Sequence, residues 1–140
     1  MIDVESDGSI PGPNEYSMVC FGAVLVDREF KLDKTFYGET APISKKWDPE
    51  ALAISGFSRE EHKKFPLPVD TMHEFKEWLW EVNEARRPIF IADNNGYDYM
   101  FMHWYMEHFI GYKQDPFGWS SKNLNDIYHG LTGDMWSSFK

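Results

Sequence analysis

Near its start the chain reads "MIDVESDG", which sets two carboxylates, Asp3 and Glu5, two residues apart among apolar neighbours. In an extended strand, residues i and i+2 project from one face, so Asp3 and Glu5 point together while Val4 points the other way. Like charges this close repel, and burying them unpaired is unfavourable. Either the pair stands in water on an exposed edge, or a cation gathers it. A third acid, Asp98, follows the apolar run "IFIAD" and the turn Asn94-Asn95-Gly96. At a helix start it can cap backbone N–H groups. If strand 89–93 lies beside the first strand, it can instead face Asp3 and Glu5. Three carboxylates around one cleft form an oxygen-rich site suited to Mg2+ or Mn2+. Two such ions about 4 Å apart stabilise the attacking and leaving oxygens of a phosphodiester hydrolysis. Asp3, Glu5 and Asp98 are therefore the expected metal-binding and catalytic residues.

Other side chains fit this chemistry less directly. Tyr16 and Tyr97 flank the acidic loops and are the expected stacking partners for a base, Tyr97 in particular as a substrate contact. Asp7 precedes Gly8 and reads as a turn residue. His103 and His108 are five apart on one helix, about 140° round it, and do not suit one metal. His62 and His73 stand alone and are expected in solvent. Trp78, Trp80 and Trp104 are expected in the core.

The elements that must position these groups follow from periodicity. "MVCFGAVLVD" (18–27) is an apolar, β-branched run that suits a central strand. "FKLDKTFYGE" (30–39) alternates at first, as a half-buried strand does. "WDPEALAISGFSREEHKKF" reads as short helices, with Asp48 and Pro49 at a start and Gly56 at an end. In "TMHEFKEWLWEVNEARR", Met72, Phe75, Leu79 and Val82 form one stripe, with Thr71 and Glu74 as a capping box. After the strand 89–93, a helix carries Phe101, Trp104, Tyr105 and His108 on one side and stops at Gly111. Leu124, Ile127, Tyr128 and Leu131 mark a last helix ending near Gly133. The order is three strands, two helices, a strand and two helices: an α/β layer domain with a mixed sheet.

The 140 residues suffice for one domain, expected to span 1–140, and 17% aromatic content excludes a disordered chain. A net charge of −9 argues against coating duplex nucleic acid by charge alone. It leaves room for an enzyme that meets phosphates through divalent metals. Cys20 is the single cysteine, so no intrachain disulfide forms and a reducing compartment is expected. No apolar run approaches the ~20 residues that span a bilayer. A cytoplasmic protein is the resulting expectation. Both ends, "MIDVESDG" and "GDMWSSFK", look clipped.

These motifs resemble those of the DEDD exonuclease superfamily. "DVESDG" resembles its first motif, Asp-x-Glu-(Ser/Thr)-x-Gly. "DNNGYDYMFM" (93–102) resembles its second, His-Asn-x-x-Phe-Asp: Asn94 matches the Asn, Tyr97 the aromatic and Asp98 the metal ligand, while Asp93 stands where the family has His. "DPEALAISGFSREE" is similar to the stretch these enzymes carry after their third strand. The flavour is closest to the RNase T and proofreading branch. The resemblance implies an RNase H-like fold: a central sheet whose first three strands are antiparallel, with a later strand parallel to the first, flanked by helices. It implies removal of nucleotides from a 3' end with two Mg2+ or Mn2+ ions, and places the backbone of Ser6 and Gly8 at the terminal nucleotide. A single-stranded or 3'-overhanging substrate is expected, RNA in preference to DNA, and dimers occur in the branch. The third motif is His-x-x-x-x-Asp, with His as base and Asp as fourth carboxylate. His129 and Asp134 have that spacing, but His129 lies inside a helical stripe and Asp134 follows Gly133, whereas the family's His precedes its helix. The other placement for the motif is beyond Lys140. A domain that binds a nucleic-acid end or a protein without cutting is the alternative reading.

Overall fold

The computed structural model describes residues 1–84 and 86–136. Of the terminal "GDMWSSFK", residues 137–140 lie outside the described residues, so the 1–140 domain extent is described only to 136. Strand β1 (Ile2–Ser6) alternates as its sequence does: Ile2, Val4 and Ser6 are buried, Asp3 is exposed and Glu5 half-buried. It pairs antiparallel with β2 (Met18–Val24), which pairs antiparallel with β3 (Thr35–Glu39). β3 begins five residues later than the alternation suggests. Asp27 Oδ1 accepts the N–H groups of Glu29 and Lys31 at 2.8 and 3.1 Å, and Phe30 takes a left-handed φ of 55°. This closes a local turn in place of an extended start.

Two short helices follow. Asp48 caps α1 (Pro49–Ile54) through the Glu50 N–H, and Ser58 and Glu61 form a capping box on α2 (Arg59–His62). Helix α3 (Pro68–Val82) starts earlier than expected, with Pro68 in its first turn and no side-chain cap. Thr71 is buried, and its hydroxyl donates to the Glu39 carbonyl at 2.7 Å, so it ties α3 to β3 and makes no capping box. The α3 stripe Met72, Phe75 and Leu79 packs onto the sheet. Phe75 meets Phe21, Phe36, Trp78 and Phe117 with centroids 5.0 to 6.3 Å apart. Each such ring contributes about 1.5–3 kcal/mol by leaving water. Trp80 points away from this core and is 66% exposed, against expectation.

Strand β4 (Phe90–Ala92) packs beside β1 and is followed by α4 (Asn95–Phe109). A fifth strand, β5 (Ser121–Asn123), pairs parallel with β4. "SKN" has no strand pattern, so periodicity missed it. The sheet is thus two adjoining ladders, β1-β2-β3 and β4-β5. Helix α5 (Leu124–Thr132) ends at Gly133, whose φ of 71° is the left-handed cap expected there. Its apolar stripe is only partly covered: Leu124 and Tyr128 are half-buried, while Ile127 and Leu131 are exposed, Leu131 by 82%.

Candidate metal centre and nucleotide cleft

Helix α4 buries Asp98, Phe101, Met102, Tyr105 and Met106. These are positions i, i+3, i+4, i+7 and i+8, one face of a helix. The expected stripe was rotated from this one; Trp104 is half-buried, and His108 is exposed and stacks on it at 4.5 Å. Aromatic residues surround most of α4, so periodicity alone did not choose its inner side. The consequence is chemical. Asp98 belongs to the apolar face, and folding drives its carboxylate against the edge of β1. There Oδ1 accepts the Val4 N–H at 2.9 Å. Through this bond the Asp98 side chain ties strand to helix.

Burial raises the Asp98 pKa to about 6, with repulsion from Asp3 and Asp93 adding to it and the Val4 N–H opposing it. One oxygen from each of Asp3, Asp93 and Asp98 lies within 4.8 Å of the others. The structure therefore brings Asp3 and Asp98 together, as the two motifs require. Asp93, assigned no role from its sequence position, completes the group at the end of β4. Glu5 is not in that group. It stands on the same face of β1, its pKa raised by burial and then by Asp3, and it lines the neighbouring cleft. The donors fit a hard divalent cation: all three are carboxylate oxygens, with no imidazole or thiolate among them.

The cleft, about 430 Å³, lies between Glu5, Gly8, Tyr16, Asp48, Ile54 and Tyr97. The Ser6 hydroxyl is buried and shares a short hydrogen bond with the Tyr97 hydroxyl, while it donates to the Gly8 carbonyl. Ser6 thus acts inside the wall, anchoring Tyr97. Gly8 lines the cleft, but what its missing side chain makes room for is Tyr16: a Cβ there would lie 2.0 Å from the ring. The β1 ladder slips between Glu5 and Ser6, and this bulge re-aims the chain into the cleft wall.

Behind the wall lies a buried polar network that the sequence reading missed. Asp7 is fully buried, not a solvated turn residue. Its Oδ1 accepts the Ser17 N–H at 2.5 Å and its Oδ2 accepts from Arg59 Nη1 at 2.6 Å. His62, expected in solvent, is 0% exposed. Its Nδ1 lies 3.1 Å from Arg59 Nη1 and its Nε2 3.3 Å from the Met18 carbonyl. Burial and the Arg59 charge lower its pKa to about 4, so it is neutral. The stretch is helical, as expected, and Glu60 and Glu61 stay exposed; Arg59 reaches Asp7, 52 positions earlier, and His62 is buried beside it.

A second donor group, His103, Glu107 and Asp115, lies on the outer part of α4 and the following loop. His103 Nδ1 and Asp115 Oδ2 are 2.5 Å apart, and Asp115 Oδ1 accepts the Phe117 N–H at 2.8 Å, so the pair pins loop 111–118 to the helix. Neither group contains His129 or Asp134. His129 lies within α5, and Asp134 Oδ1 accepts the Trp136 N–H at 2.9 Å.

No family model matches the chain. A curated relative, the 3'-5' DNA exonuclease Cap18 of Escherichia coli, is 34% identical over 137 residues, covering 96% of this chain and 70% of Cap18. Among solved structures, E. coli exonuclease I in complex with a dT13 oligonucleotide superposes with a TM-score of 0.72 at 18% identity, over 94% of this chain. The chain spans only 28% of that exonuclease. The nuclease domain of 3'hExo, a DEDDh family member bound to rAMP, superposes with a TM-score of 0.71 at 13% identity, covering 95% of this chain and 70% of the other. These structures share the fold, which is the RNase H-like α/β arrangement expected from the motifs. No helix among the described residues is long and apolar enough to cross a membrane.

Proposed function

The chain belongs to the DEDD superfamily of 3'→5' exonucleases, and on that footing we propose that it removes nucleotides from the 3' end of single-stranded nucleic acid. The observation that carries this reading is the approach of Asp3, Asp93 and Asp98 to within 4.8 Å beside a cleft walled by Glu5, Tyr16 and Tyr97. Asp3, Asp93 and Asp98 would hold Mg2+ or Mn2+, two ions being the expected number, and such ions supply positive charge to the oxygens of a phosphodiester as it breaks. Asp98 is ionised above its pKa of about 6 and keeps its bond to Val4. Glu5 faces the cleft and can accept a hydrogen bond from the terminal sugar hydroxyl. Tyr97, held by Ser6, lines the cleft where a base would stack, a contact of about 1–3 kcal/mol per base, while Tyr16, packed on Gly8 with Lys46 over its ring, forms the opposite wall. The sequence motifs lead to an expectation of RNA. The likeness to a DNA exonuclease favours DNA, and one assay measures both.

That assay incubates the protein with 5'-labelled single-stranded DNA and RNA in Mg2+ or Mn2+, beside an Asp3→Ala, Asp98→Ala double variant. A ladder shortened from the 3' end by the wild type and not by the variant is expected; equal laddering from both sinks the assignment. Neither donor group contains His129 or Asp134, so the family's base and fourth acid are not placed at the carboxylate cluster among the described residues. This observation supports a second reading, a domain that binds a 3' end without cutting. Binding of the labelled strand with no ladder at any metal concentration selects it.

A further inference from the structure

We propose that the strand behind the 3'-terminal nucleotide leaves the cleft across loop 42–47, over a track made by Lys45, Lys46, Trp47 and Lys63. This rests on the exonuclease reading of the cleft. The track begins at the cleft wall itself. Lys46 Nζ sits 4.4 Å over the ring of Tyr16, and Asp48 lines the cleft with its N–H fixed to the Asp7 carbonyl at 2.8 Å. Residues 44–47 therefore run outward from the rim. Beyond them two open hollows meet along Pro42, Ser44 and Lys45, one reaching Lys46 and the other reaching Trp47 and Lys63.

The loop is held in shape from below. The Ile43 N–H donates to Ser17 Oγ at 3.0 Å, and Arg59 Nη2 donates to the Ser44 carbonyl at 2.8 Å. Arg59 is committed to Asp7 and to this carbonyl, so it supports the track, and the exposed part of its side chain lines the outer hollow beside Glu60 and Lys63. Its guanidinium also lies 5.6 Å from the Trp47 ring. Trp47 keeps 39% exposure, enough to offer an edge or face to a base.

Charge selects the occupant. In a chain of net charge −9, positions 45 to 64 hold five of the 14 Lys and Arg residues (Lys45, Lys46, Arg59, Lys63, Lys64) against four acids (Asp48, Glu50, Glu60, Glu61), so this span is net positive by one while the chain is acidic. The carboxylates nearest the surface cations are taken: Glu15 by Lys46 at 2.5 Å and Glu60 by Lys63 at 2.7 Å. Exposed pairs such as these are weak and exchange readily for another anion. Lys45 has no carboxylate partner among the described residues. A row of ammonium groups with one aromatic ring, continuous with a nucleotide cleft, matches a single-stranded phosphodiester backbone. The rest of the acidic surface repels that strand and so directs it here.

The test compares a 13-residue oligothymidylate with a 5'-phosphorylated thymidine dinucleotide, which fills the cleft but does not reach the track. Cleavage kinetics are read on the wild type and a Lys45→Glu, Lys63→Glu variant. Strand affinity is read by fluorescence anisotropy in an Asp98→Asn background, where the strand is not consumed. KM and Kd for the 13-mer are expected to rise at least tenfold in the variant, with the dinucleotide unchanged. The slope of log affinity against log salt should fall by about 1.4, from two single-strand phosphate contacts at about 0.7 each. Trp47→Ala should weaken 13-mer binding about tenfold and leave the salt slope intact. The track is overturned if charge reversal weakens both substrates equally, if neither changes, or if an acidic peptide competes as well as the oligonucleotide. Failure of the exonuclease reading looks different: the dinucleotide stays intact with wild type, while the anisotropy still reports the 13-mer.

Discussion

Replacing Asp98 by Asn exchanges a buried carboxylate for an amide of nearly the same shape. The amide oxygen can still accept the Val4 N–H, which now meets Asp98 Oδ1 at 2.9 Å. What disappears is the charge. Burial, aided by Asp3 and Asp93, lifts the Asp98 pKa from 3.8 to about 6, and the residue is only 3% exposed. A raised pKa means that the folded chain holds this proton more tightly than the unfolded chain does. The ionised carboxylate therefore destabilises the metal-free fold. The penalty is absent below about pH 4, grows between the two pKa values, and is complete above about pH 6. At about 1.4 kcal/mol per pKa unit, 3.8 to about 6 gives a ceiling of about 3 kcal/mol. In EDTA at pH 7.5 the Asn variant should be more stable than wild type by up to that amount, and the two should converge near pH 4. Urea unfolding followed by the fluorescence of the six Trp residues measures this. Added Mg2+ should stabilise the wild type and not the variant, and the variant should lose nuclease activity. A variant less stable than wild type at pH 7.5, or a difference that ignores pH, refutes the account of Asp98 as a charge held against its preference.

The buried network predicts the opposite pH response. His62 has its pKa lowered to about 4 from 6.5, so the neutral ring stabilises the fold at neutral pH and that contribution, about 3 kcal/mol, is lost as pH falls from 6.5 through 4; acid unfolding curves should be shallower over this range for His62→Gln than for wild type. Arg59→Ala leaves the fully buried Asp7 without its cation and should destabilise by about 3–5 kcal/mol in thermal or urea unfolding. Gly8→Ala puts a methyl 2.0 Å from the Tyr16 ring; KM for a single-stranded substrate should rise about tenfold as the ring is displaced. In a Tyr16→Ala background the same glycine change should have little further effect on KM.

The fold was legible where pattern and burial agree. Alternation in β1 announced which faces Asp3 and Glu5 take, and the apolar run 18–24 announced the central strand β2. Strand β5 was not legible, because "SKN" is held by its pairing with β4 and by no preference of its own. The inner face of α4 was ambiguous for a different reason: with aromatic residues almost all round, only tertiary packing chooses. The site divides the same way. Asp3 and Asp98 come together because each sits at a position that local structure aims. Asp93 joins them only through the placement of β4 beside β1, a long-range fact. Asp7, Arg59 and His62 were unreadable singly, since each is an ordinary surface residue until the other two are brought within hydrogen-bonding reach.

An acidic chain that handles a polyanion raises an apparent conflict, and the structure resolves it by segregation. The carboxylates on β1 and after β4 are raised in pKa first by burial and then by mutual repulsion, as Asp98 and Glu5 show. That repulsion is relieved by a proton at low pH or by a bound cation at neutral pH, so the metal-free cluster is a weak fold element and, on the proposed reading, a cation site. On the proposed reading the positive contacts for the strand lie elsewhere, at Lys45, Lys46 and Lys63, apart from the carboxylate cluster. Asp7 and Arg59 lie between the two regions as a buried pair, 2.6 Å apart, whose charges cancel internally. This pair fixes the cleft wall through Ser17 and the loop through Ser44. A lone Lys in place of Arg59 has one ammonium, not a fork, and cannot reach both partners in this geometry. Arg59→Lys should therefore preserve most of the charge balance yet loosen loop 42–47. The measurement is hydrogen exchange: faster exchange at the Ile43 and Lys46 amides with unchanged exchange in β2 is the expected result. Uniformly faster exchange would instead mean that the pair supports the whole fold and has no special hold on the loop.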